Sequence, residues 1–119
     1  MLRKTLWTAL LVASTATYAG AALWSPPLAA SWHERLNCRV MNVSPIVHHV
    51  TIQIPDSNGS VLVNQVLDLA PGHSFSATTP PADVWGYCWV GGIAKSDARV
   101  TFSAIDDQDL STITAVQVR

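Results

Sequence analysis

Cys38 and Cys88 are the only two cysteines of this 119-residue chain. Reduced, they would be its strongest nucleophiles and softest metal ligands. Neither use fits their surroundings. Fifty positions separate them, far from the C-x-x-C spacing of a redox pair. A blue-copper site needs histidine and methionine closely after the cysteine, but Trp89, Val90, Gly91 and Gly92 follow Cys88. Cys38, Met41 and His48 could supply such a set only by leaving Cys88 reduced and idle. The pair therefore reads as one disulfide in an oxidising compartment.

The remaining residues with reactive or ligating side chains are scattered. His48 and His49 are neighbours, and on a strand neighbours point to opposite faces, so they do not share one ion. A zinc site would have to recruit His33 and His73 from loops. Asp106, Asp107 and Asp109 in one loop, and Asp56 with Asn58 in another, offer hard oxygen ligands without the spacing of an EF-hand, and solvated turns explain both. There is no Gly-x-Ser-x-Gly elbow, and Glu34 is the sole glutamate. No catalytic residue, metal site or cofactor is expected, and the chain reads as a non-enzyme. Asn42-Val43-Ser44 and Asn58-Gly59-Ser60 match the glycosylation triplet and are assigned no function.

Trp85, Tyr87 and Trp89 form the one constellation that suggests recognition. Alternation along a strand places all three on the face opposite Cys88. With Cys88 pointing inward, the rings form a platform for a sugar, a peptide strand or a partner protein. Two other arrangements stay open: a loop or the segment around Trp32 covers them, or the rings face the core and the disulfide lies at an edge.

These residues must be held by a small exported domain. Met1-Leu2-Arg3-Lys4 precedes the apolar run Leu6–Ala13, and Ala19-Gly20-Ala21 fits the small-x-small cleavage rule, so residues 1–21 read as a signal peptide. Cleavage after Ala19 or Ala30 is an alternative. A retained membrane anchor is the rival, since no charge occurs between Lys4 and Glu34, but hydroxyl residues and Pro26-Pro27 dilute and interrupt it. Losing Arg3 and Lys4 takes the net charge from −1 to −3, with no basic cluster to track a phosphate backbone or an anionic membrane surface. Nucleic acid is thus not an expected partner, nor is a membrane after cleavage.

Residues 22–36 carry two prolines and no sustained period, and are expected to be a flexible lead-in. From 37 to 119, β-branched runs alternate with turn signals. They predict seven strands: Cys38–Val43, His49–Ile54, Ser60–Leu67, His73–Thr78, Val84–Val90, Arg99–Ile105 and Ser111–Val118. Asp56-Ser57-Asn58-Gly59 makes the second and third a hairpin.

The expectation is an all-β protein, an immunoglobulin-like antiparallel β-sandwich with one disulfide. The likeness is architectural, because Gly86 stands where an immunoglobulin domain has its tyrosine, and no tryptophan lies midway between the cysteines. The functional expectation is an exported, periplasmic or secreted, non-catalytic binding or structural module with a protein or carbohydrate partner. The alternatives are a small periplasmic metal-binding protein using loop histidines and a subunit of a surface or envelope assembly that adds a strand to a sheet edge.

Overall fold

The computed structural model describes residues 22–108 and 112–117, the side chains of 113, 114, 116 and 117 apart. Residues 1–21, read as a signal peptide, and Asp109 lie outside the described residues. In chain order the strands are β1 (Leu23–Trp24), β2 (Leu28–Ala30), β3 (Glu34–Asn42), β4 (His48–Pro55), β5 (Val61–Leu69), β6 (Ser74–Thr78), β7 (Val84–Gly86), β8 (Trp89–Gly91), β9 (Ala98–Asp106) and β10 (Thr112–Gln117). One turn of 3-10 helix, Lys95–Asp97, precedes β9.

All pairings between these strands are antiparallel. They build a sheet of order β1-β8-β4-β5, a second of order β10-β9-β3-β6, and a two-stranded ribbon β2-β7. Alternation explains the core between them. Leu36, Cys38 and Val40 of β3, Val50, Ile52 and Ile54 of β4, Val90 of β8, and Val100, Phe102 and Ala104 of β9 are at most 2% exposed. The Cys38–Cys88 disulfide, with Cα atoms 6.0 Å apart, ties β3 to the segment between β7 and β8. The fold is all-β and sandwich-like.

The β4–β5 hairpin forms where the sequence placed it. Gly59 takes φ +86°, and the Asp56 carboxylate accepts hydrogen bonds from the backbone of Asn58 and Ser60, both at 2.9 Å. Asn42, fully buried at the end of β3, braces the neighbouring loops. Its amide nitrogen donates to the carbonyls of Ile46 (2.7 Å) and Leu69 (2.8 Å), and its oxygen accepts from the backbone and hydroxyl of Ser44. That spends the first glycosylation triplet on structure.

Two expectations are corrected. The stretch 22–36 is packed rather than a free lead-in: Leu23, Leu28 and Ala30 are buried, β1 and β2 pair with β8 and β7, and β3 already begins at Glu34. Their alternation is too short to read across Pro26-Pro27. The strand expected over Val84–Val90 is also divided, with β7 and β8 in different sheets.

The prolines explain the division. Trp24 pairs with Trp89 and Leu28 with Gly86, so Ser25, Pro26 and Pro27 stand opposite only Tyr87 and Cys88. Prolines have no ladder donor, and the additional residue makes a bulge. Ser25 bridges the gap, its hydroxyl accepting from Cys88 N (2.7 Å) and its backbone N–H donating to Cys88 O (3.0 Å).

Candidate functional site

Despite the division, alternation survives along 85–90. Gly86, Cys88 and Val90 are buried, while Trp85 is 58% exposed and Tyr87 and Trp89 are partly exposed. Both cysteines are inaccessible and joined, so no free thiol exists among the described residues.

The packed N-terminal segment adds a ring that the sequence reading missed. Trp24, 52% exposed, stacks on Tyr87 (centroids 5.5 Å apart, 26° between planes) and meets Trp89 edge-on (6.2 Å, 74°). Trp32 stands elsewhere, 76% exposed beside His33. The signal that could have revealed Trp24 was its place between Leu23 and the small Ser25, a single alternating step.

Trp89 owes its pose to a glycine. Gly91 lies two residues on, on the same side of the sheet, and a Cβ there would stand 2.6 Å from Trp89 Cη2 and 3.1 Å from Cζ3. The six-membered ring therefore rests over bare backbone. A glycine in a strand often marks such a close approach.

The pairing register extends this face across the whole sheet. Trp24 is opposite Trp89, Trp89 opposite Gln53, and Gln53 opposite Asn64. The two amides are linked, Gln53 Nε2 donating to Asn64 Oδ1 at 3.2 Å. Indoles thus occupy the β1–β8 end of a cross-strand row and hydrogen-bonding amides its β4–β5 end. Such a row can stack on an apolar ring face and bond to its substituents.

The histidines do not converge. His48 Nε2 lies 3.0 Å from Ser44 Oγ and 3.5 Å from Asp97 Oδ2, so serine and aspartate share one ring nitrogen. A nucleophile–base–orienter relay needs both nitrogens, one for each partner. His49 Nδ1 lies 2.7 Å from Asp68 Oδ1 on the exposed face. Among the described residues no three His, Cys, Asp or Glu are placed to hold a metal. Cys38 faces inward while Met41 is exposed on the other side of β3, so the copper set does not assemble. Asp107 pairs with Arg35, Asp106 accepts from Gln108 N, and Asp56 caps its own turn.

A shallow polar depression of about 440 Å³ lies on the second sheet, lined by Asn37, Arg39, Ser76, Thr101 and Ser103 among others. It faces away from the aromatic row, and two of its lining side chains bond to β6 neighbours outside it, Arg39 Nη2 donating to Ser74 Oγ and Asn37 Oδ1 accepting from Thr78 Oγ1.

No protein-family model matches the chain, and no curated protein matches it in sequence. Among solved structures, the fold is similar to that of Thermotoga maritima 1070: TM-score 0.58 at 9% identity, over 84% of this chain and 93% of that one. The Anabaena sensory rhodopsin transducer aligns with a TM-score of 0.49 at 13% identity, over 70% of this chain and 94% of that one. The Thermotoga likeness is one of fold alone.

Proposed function

We propose that this chain is an exported, non-catalytic β-sandwich module of immunoglobulin-like type that binds a saccharide chain on the outer face of the β1-β8-β4-β5 sheet. The carrying observation is the Trp89 indole laid over Gly91, with Trp24 and Tyr87 beside it and Gln53 and Asn64 continuing the row. Sugar rings offer flat C–H faces for stacking and equatorial hydroxyls for amides, and this face supplies both partners. The immunoglobulin-like reading is supported by two four-stranded sheets and a disulfide from an early strand to a late segment. Export to the periplasm or the medium fits the amino-terminal pattern and the disulfide.

The test is titration of the purified protein with neutral hexasaccharides of glucose and of N-acetylglucosamine, read by tryptophan fluorescence and by retardation in polysaccharide-containing gels. Saturable quenching and retardation that Trp89→Ala abolishes are expected. An unchanged spectrum and mobility with every saccharide at millimolar concentration would overturn the reading.

A further inference from the structure

The other end of the same sheet ends in an unusual edge. β5 is nine residues long, and its partner β4 covers one side only. Edge strands are ordinarily blunted by brevity, lysine, proline or bulges. The other edges conform: β1 has two residues, β6 five, and β10 a register irregularity against β9. β5 carries one such device, a register shift beside Pro55 at its Val61 end, and none from Val63 to Leu69. From Val61 to Leu69 it carries no lysine, arginine, proline or glycine, and its register with β4 is regular from Val63 to Leu69. Val61 is 50% exposed, Val66 54% and Leu62 37%.

The sequence of this edge says what fits it. Only one antiparallel register of β5 against a second β5 pairs all nine residues, and it puts Gln65 on a twofold axis. Val61 then meets Leu69, Val63 meets Leu67, Asn64 meets Val66, and Leu62 meets Asp68. Val63 and Leu67, which lie opposite Ile54 and Val50 on the inner face of the sheet, then oppose each other as an apolar pair on both sides of the axis. Asp68, the strand's one charge, opposes no like charge and is already paired with His49.

We infer that β5 is an interface between two copies of this chain, joined antiparallel about Gln65 into one eight-stranded sheet. The isologous contact closes, because each chain has one such edge. An edge about 30 Å long and roughly 15 Å deep buries roughly 900 Å² over both partners, the scale of a weak, micromolar dimer. The axis is perpendicular to the sheet, so both aromatic ends lie on the same face. Five strand spacings separate β8 from its copy, about 24 Å. The dimer stands whether or not the saccharide reading does; where both hold, one polymer chain can reach both aromatic ends.

Sedimentation equilibrium of the purified, disulfide-bonded protein tests this. A reversible dimer is expected. Gln65→Lys, at an exposed position, should preserve the melting temperature yet weaken the dimer about fivefold by opposing two lysines on the axis. Mixing Gln65→Lys with Gln65→Glu should restore association to at least the original strength. A strict monomer at the highest concentration would overturn the inference and leave the edge to a strand of another protein. A dimer indifferent to Gln65→Lys would also overturn it, by locating the contact elsewhere.

Discussion

The segment 84–91 has two sides that obey opposite rules. Its inner side, Gly86, Cys88 and Val90, is closed by a covalent bond and by packing so tight that a Cβ on Gly86 would stand 2.8 Å from Leu36 Cδ1. Its outer side carries rings, with Trp85 58% exposed. Inner residues are chosen for what fits between two sheets, whereas outer residues can be large because only one another and Trp24 pack against them. The contrast teaches that the disulfide does more than brace the fold. By fixing which way Cys88 points, it fixes which way Trp85, Tyr87 and Trp89 point.

Substitutions along this segment can break or sharpen the contrast, and stability should grade from the inner side to the outer. The largest loss is expected for Cys38→Ala with Cys88→Ala, which opens a loop of 50 residues and costs about 4 kcal/mol in the chain-entropy account, measured by urea unfolding. Ser25→Ala comes next, because it leaves the buried Cys88 N–H without its acceptor. About 2 kcal/mol, or roughly 10 °C in melting temperature, is expected.

Trp89→Ala should cost about 1 kcal/mol, since it loses the edge contact with Trp24 and uncovers Gly91. Trp85→Ala should change stability by less than about 0.5 kcal/mol, within a few degrees in a thermal melt. A fall of many degrees for Trp85→Ala, or none for Ser25→Ala, would erase the distinction between the two sides.

Much of the scaffold was legible because its signals are local. The Asp56–Gly59 turn announces itself through residues that tolerate positive φ and cap their own backbone. Val100, Phe102 and Ala104 announce the inner face of β9 by strict alternation. The N-terminal strands were hidden because Pro26-Pro27 reads as an interruption, and only a partner strand with a matching bulge makes it tolerable. Trp24 was lost with them, and so was one ring of the candidate site. Gly91 gave no sign of its role, since a glycine in a strand is equally a turn signal until the ring above it is seen. β5 was legible as a strand but not as an edge, because Val61, Leu62 and Val66 look like core residues until the strand order leaves them uncovered.

By itself, the sequence determined that the chain is all-β, that its two cysteines have only each other, and that three aromatic rings alternate with Cys88. Those are consequences of composition and of the two-residue period of an extended chain. Tertiary structure alone decided that Cys88 sits where two strands part, that Trp24 joins the rings from a segment some 60 residues upstream, and that β5 lies at an edge. Each of these depends on which strands lie side by side. Burial and hydrogen bonding across the whole domain select that order, and no local run of residues encodes it.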